Sequence, residues 1–158
     1  MTDNGRRQRT FSRRQTLALG AVAVSCGFAP GERVAAQTAE KAMDEIARFT
    51  GGVAPMRGKV ELDLPAIAEN GNAVPISIVV DSPMTAESYV ERLIVVNTAN
   101  PYARALAARF TPASGRAELT TRIRLAATQE VFVVAKMSDG AFYMDSKTVK
   151  VTVGGCGG

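Results

Sequence analysis

Residues 115–126 read "GRAELTTRIRLA", and the alternation within this stretch decides the fold. Ala117, Leu119, Thr121, Ile123 and Leu125 fall on one side of an extended chain, and Arg116, Glu118, Thr120, Arg122 and Arg124 on the other. Successive side chains of a strand point to opposite faces, so a period of two with one apolar face predicts a half-buried β-strand. The same period runs through much of the chain. "KVELDL" (59–64) sets Val60, Leu62 and Leu64 against Lys59, Glu61 and Asp63, and "VPISIVVD" (74–81) alternates Val74, Ile76, Ile78 and Val80. Pro75 marks an edge or a strand start there, because proline cannot donate to a ladder.

Further runs are "YVERLIVVNT" (89–98) and "PYARALAARFTP" (101–112), the latter boxed by Pro101 and Pro112. "EVFVVAKM" and "AFYM" are joined around Ser138, Asp139 and Gly140, a hairpin turn signal, and "KTVKVTV" closes the series. About seven short strands separated by regular turn signals predict an all-β protein, an immunoglobulin-like sandwich. No inter-sheet disulfide is available to it, so its core has to come from aliphatic packing. The row Arg116, Arg122, Arg124 is either a recognition surface for an anion or an acidic protein, or the solvated face of its strand.

Upstream the period changes. In "AEKAMDEIARF", Ala39, Ala42, Met43, Ile46 and Phe49 recur at helical spacing, and Thr50, Gly51 and Gly52 provide a stop. A helix of about three turns is marginal by itself. Its apolar stripe must dock either on this domain or on a partner.

Residues 1–36 read as a leader. Arg6, Arg7, Arg9, Arg13 and Arg14 precede the apolar stretch "LALGAVAV" (17–24), and the small-residue run "VAAQ" follows at Val34 to Gln37. This is the layout of an export signal, and its apolar stretch is too short to span a bilayer. "SRRQTL" (12–17) resembles the twin-arginine motif, with Thr16 where an apolar residue is usual. The expectation is a cleaved twin-arginine-type signal ending at Ala36, with a general secretory signal as the alternative; either places the protein in the periplasm, without a membrane span. Cys26 falls within the signal, and "AVSC" lacks the larger aliphatic residue of a lipid-attachment site. The formal charge of +4 also belongs to the leader: it holds six of the 19 basic and two of the 15 acidic residues, leaving the remainder with 13 of each. No nucleic-acid partner is implied.

Several chemistries are excluded by composition. The chain has no histidine, which removes Ser-His-Asp and Cys-His catalysis. A single mature cysteine cannot build a zinc or transition-metal site alone, so neither a metal nor another cofactor is expected. Gly51 and Gly52 lack the spacing and lysine of a phosphate-binding loop. Met43, Met56, Met84, Met137 and Met144 are scattered without a repeated spacing and read as core or surface filler rather than copper ligands. Asp81 and Glu87, around "DSPMTAES", are better explained as part of a capped turn than as catalytic carboxylates.

What remains is the end of the sequence, "VTVGGCGG" (151–158). Gly154, Gly155, Gly157 and Gly158 carry no Cβ and sample both halves of φ space, so they predict a flexible arm around Cys156. Three Cα steps from Val153 let the thiol range roughly 10 Å from the domain. A free cysteine, with a pKa of about 8.5, is mostly protonated near neutrality, and the arm offers no cation or helix terminus to activate it. Such a thiol suits a swinging arm visited by other proteins. An odd cysteine in an exported protein implies either intermolecular pairing or a reactive thiol, and both stay open at this point.

"GGCGG" after a final strand, together with "NGNAVPISIVVDSPMTAE", "FTPASGRAELTTRIRLA" and "MSDGAFYM", resembles the SoxY family, the sulfur-carrier subunits of the periplasmic Sox thiosulfate-oxidising system. The likeness covers most of residues 40–158. It implies a carrier domain over residues 37–153 with a swinging arm over 154–158, and a heterodimer with a second β-sandwich subunit, SoxZ. It implies a covalent carrier rather than an enzyme, with thiosulfate joined oxidatively to Cys156 by a c-type cytochrome. A hydrolase then releases sulfate, and a sulfur dehydrogenase acts on the sulfur left behind. The competing expectation is an exported assembly module cross-linked into dimers through Cys156.

Overall fold

The computed structural model describes residues 30–154, so most of the expected signal, and Gly155, Cys156, Gly157 and Gly158, lie outside the described residues. One helix, α1 (Pro30–Thr50), precedes eight strands: β1 (Val60–Asp63), β2 (Ile67–Asn70), β3 (Val74–Val80), β4 (Val90–Asn97), β5 (Arg104–Arg109), β6 (Ala117–Ile123), β7 (Gln129–Met137) and β8 (Phe142–Val153). They form a three-stranded sheet, β1-β3-β6, and a five-stranded sheet, β2-β8-β7-β4-β5. The sandwich expected from the alternating runs is the observed architecture.

The three-stranded sheet follows the sequence pattern closely. Val74, Ile76, Ile78 and Val80 are at most 3% exposed, and Val60, Leu62 and Leu64 face the same core. β3 is the central strand, paired to β1 and β6. Pro75 therefore marks the start of a strand and not an edge, and it sits opposite Arg122 near one end of the ladder.

The five-stranded sheet is buried on both faces at its centre. Leu93 and Val95 of β4 and Val131, Val133 and Ala135 of β7 point into the sandwich, while Ile94, Val96, Phe132 and Val134 point outward into a second apolar cluster. That is why "LIVV" and "VFVV" read as continuous apolar runs instead of alternating ones. The second cluster is closed by Ala42, Ile46 and Phe49 of α1, so the helix docks on its own domain. The Phe49 ring meets Phe142 edge to face at 5.8 Å, and Arg92 lies 5.6 Å from the Phe49 centroid. Glu45 pins the helix to the edge strand β5 through Arg104 at 2.6 Å.

Four details depart from the sequence expectations. The helix begins at Pro30, well before Ala39; proline suits the first helical position because its missing N–H would be unpaired there anyway. Met43, expected in the apolar stripe, is 47% exposed. "AFYM" and "KTVKVTV" are one strand, β8, whose first eight residues pair with β7 from Lys136↔Phe142 to Gln129↔Val149. β2 went unforeseen, because in "IAEN" only Ala68 is buried and no alternation marks it.

The turn signals behave as their chemistry requires. Gly51 follows the helix at φ 67°, and the Gly52 amide donates to the Ala47 carbonyl. At the hairpin, Gly140 takes φ 86° and the Asp139 carboxylate accepts from the Ala141 amide at 2.9 Å. No helix among the described residues is long and apolar enough to cross a membrane.

Two predictions follow from this packing. Ile46→Ala removes the centre of the helix contact and is expected to lower stability by about 2–4 kcal/mol in chemical denaturation, with no change in the denaturant slope. Glu91 is held below the ordinary glutamate range, chiefly by its hydrogen bond to Lys136, whose ammonium lies 2.7 Å away. A depressed carboxylate stabilises the fold above its ordinary value and loses that contribution as pH falls through the folded value. Glu91→Gln therefore flattens the decline in melting temperature on acidification below about pH 5; an unchanged acid limb would assign no such role to the pair.

Candidate functional site

The last four residues of β8 leave their long ladder behind. Beyond Val149 the partner on one side changes to the short parallel strand β2, with Ile67 opposite Lys150 and Asn70 opposite Val153. The Thr152 hydroxyl reinforces this edge by donating to the carbonyls of Glu69 at 2.9 Å and Ala68 at 3.3 Å. On the other side the Val151 amide donates to Thr128 Oγ1 at 3.0 Å, and that hydroxyl reaches the Val151 carbonyl at 3.5 Å. The strand is thus clamped from both flanks until Val153.

Gly154 comes next, and its backbone lies against the Ala126 carbonyl. A Cβ at Gly154 would overlap that oxygen. Glycine at this position is required by close approach, a reason separate from the flexibility expected of the arm. The Ala126 segment is itself held in place. Asn100 Oδ1 accepts from the Ala126 amide and from Gln129 Nε2, both at 2.9 Å, while Asn100 Nδ2 donates to the Arg124 carbonyl at 2.7 Å. Gln129 is nearly buried and accepts from the Ala99 amide at 2.8 Å. A further bond ties the Leu125 amide to the Gly71 carbonyl. Sequence reasoning missed Asn100 and Gln129, for which the only local signal is a polar break after an apolar run.

Of the residues expected at the site, Gly154 is therefore placed, and Cys156, Gly155, Gly157 and Gly158 lie outside the described residues. The arginine row divides. Arg116 pairs with Glu118 at 2.8 Å, near the start of β6. Arg122 and Arg124 instead share a cleft of about 450 Å³ with Arg104 from β5, and Ala126 lines the same cleft. Asp81 and Glu87 are both exposed, and the side-chain hydrogen bonds within their loop come from other residues: Ser82 Oγ accepts from the Met84 amide and Thr85 Oγ1 from the Ser88 amide. That is the capped turn expected. Among the described residues, no three His, Cys, Asp or Glu side chains gather where they could hold a metal ion.

Fold and site together define a β-sandwich protein whose last strand is anchored to within three residues of a glycine-flanked cysteine. The family of the sulfur oxidation protein SoxY matches residues 46–156, most of the chain, and this protein belongs to that family. Among solved structures, the sulfur carrier protein SoxY from Chlorobium limicola f. thiosulfatophilum is similar at 26% identity and a TM-score of 0.62, covering 76% of this chain and 99% of that one. A superoxide reductase (neelaredoxin) from Ignicoccus hospitalis is similar at 12% identity and a TM-score of 0.54, covering 60% of this chain and 80% of that one. The second likeness concerns the fold alone. No curated protein matches the chain.

The clamp makes a prediction for Gly154→Ala. The added methyl must displace either the strand end or the Ala126 carbonyl, so the Val151 amide, bonded to Thr128, is expected to exchange its hydrogen several-fold faster than in the wild type. Unchanged protection at Val151 would show that the chain end yields without disturbing the clamp.

Proposed function

We propose that this protein is a covalent carrier of sulfur in periplasmic thiosulfate oxidation, with Cys156 as the attachment point. The observation that carries the reading is the family match, which extends through Cys156 itself. The geometry of the preceding residues supports it. A strand fixed up to Val153, followed by a glycine that must lie close to Ala126, gives the attached sulfur a defined point of origin.

The chemistry assigns little to the carrier. In the loading step the Cys156 thiol and thiosulfate form a new S–S bond, giving the cysteine S-thiosulfonate, one proton and two electrons, and the electrons pass to a c-type cytochrome partner. In the next step water attacks the terminal sulfonate sulfur, the S–S bond to it breaks, and sulfate and a proton leave a persulfide on Cys156. Both steps need catalytic groups from partner enzymes, because a chain without histidine offers no imidazole base. A second β-sandwich subunit of the SoxZ type completes the carrier as a heterodimer.

Intact mass spectrometry of the protein from its native periplasm, supplied with thiosulfate and kept free of reductant, tests this reading. Reducible adducts of sulfur and of thiosulfate are expected at Cys156 and vanish in Cys156→Ser, while the melting temperature is expected to stay unchanged. A bare thiol, or a Cys156-linked dimer alone, in the presence of thiosulfate and cytochrome would favour the assembly module instead.

A further inference from the structure

The cleft that Arg104, Arg122 and Arg124 share lies at the open side of the sandwich. β5 ends the five-stranded sheet and β6 ends the three-stranded one, and no ladder joins them. Three arginines, Arg104, Arg122 and Arg124, line the gap between these edges, and among the described residues no Asp or Glu does. Glu45 engages Arg104, and Arg122 has no ion-pair partner among the described residues. Asn72 and Thr121 add neutral polar residues to the lining. Among the described residues three arginines stand against the single carboxylate of Glu45, and planar guanidinium forks are suited to an oxyanion, whose charge is spread over several acceptor oxygens.

The position of the cleft narrows the oxyanion's identity. Ala126 belongs both to the cleft wall and to the contact with Gly154. Cys156 is two Cα steps beyond Gly154, within roughly 7.6 Å of it, and each S–S bond of an adduct adds about 2 Å of reach. The anionic end of a chain of sulfur atoms grown on Cys156 can therefore be delivered to these arginines from the wall of the cleft itself.

We propose that the cleft between β5 and β6 is an oxyanion site that receives the sulfonate end of a Cys156-borne adduct, with Arg122 and Arg124 as its principal ligands. This rests on the carrier reading and adds a regulation to it. A thiosulfonate adduct carries a sulfonate and docks; the persulfide left after sulfate release has none and is let go. The cleft thus distinguishes two loading states of one cysteine by the presence of sulfonate oxygens.

Chemical loading tests the proposal without any partner enzyme. The Cys156 thiolate attacks a central sulfur of tetrathionate, the central S–S bond breaks, thiosulfate leaves, and the S-thiosulfonate forms with tetrathionate as the oxidant. In the ¹⁵N-labelled full chain, loading verified by mass is expected to shift the amide resonances of Ala126 and Thr121 and the side-chain resonances of Arg122 and Arg124. The shifts are lost in Arg122→Gln/Arg124→Gln and kept in Arg116→Gln, a control for charge at the other end of β6. Capping Cys156 with neutral iodoacetamide produces none of them. Free thiosulfate added to Cys156→Ser separates the sources: cleft shifts there, with none on loading the arm, would mean a site for dissolved anions and overturn the proposal. Unshifted cleft resonances in fully loaded protein, or equal shifts in the double variant or the iodoacetamide-capped protein, would overturn it too. Failure of the carrier reading registers elsewhere, as a Cys156 that partner enzymes never load.

Discussion

The burial of β4 and β7 on both of their faces is the constraint from which the other elements take their places, because two adjacent strands with unbroken apolar runs, Leu93 to Val96 and Val131 to Ala135, cannot leave either face to water. One face is covered by the three-stranded sheet, whose inward Val74, Ile76, Ile78 and Val80 meet Leu93, Val95, Val131 and Val133 in one cluster. The other is covered by α1 through Ala42, Ile46 and Phe49. Each fully buried valine, leucine or isoleucine contributes about 1.5–3 kcal/mol relative to exposure, so the helix is part of the fold and not an appendage. The ladder from β7 to β8 then sets the path of the last strand.

That path matters because the chemistry proposed for this protein lies beyond its end. β8 outlasts β7, and the exposed remainder is taken over by β2 on one side and by the Thr128 hydroxyl on the other. Asn100 and Gln129 fix the Ala126 segment, and Ala126 in turn admits only a glycine at 154. A chain of short polar contacts thus runs from the start of the β4–β5 connection to the base of the arm. The cationic cleft shares Ala126 with that chain, which brings the arginines of β6 to the same corner of the sandwich.

The legible part of the structure was the part written in local period. Every alternating run that faces a single core became a strand with the expected face inward, and Gly51, Gly52 and the Ser138 to Gly140 turn ended elements where their backbone chemistry requires. What escaped notice had no period to read. β2 exists because β8 needs an edge partner, and Ile67, its most apolar residue, is 59% exposed. Met43 has the right spacing for the helix stripe, but the stripe is only as wide as the cluster beneath it. The arginine row looked uniform along its strand, yet Arg116 lies at the far end beside Glu118 while Arg122 and Arg124 line one cleft with Arg104 of the other sheet.

The sequence by itself determined the class of fold, the aliphatic nature of its core, the absence of an imidazole base and the cysteine on which the proposed function turns. These follow from composition and near-neighbour pattern, which no folding event can alter. Only the tertiary structure decided that the helix covers its own domain, that the last strand is held from two sides, that Gly154 answers to a carbonyl 28 positions earlier in the chain, and that arginines from two sheets meet in one cleft. Each of these depends on residues far apart in sequence being brought to contact distance by the packing of two sheets, and pairings of that range leave no periodic trace in the chain.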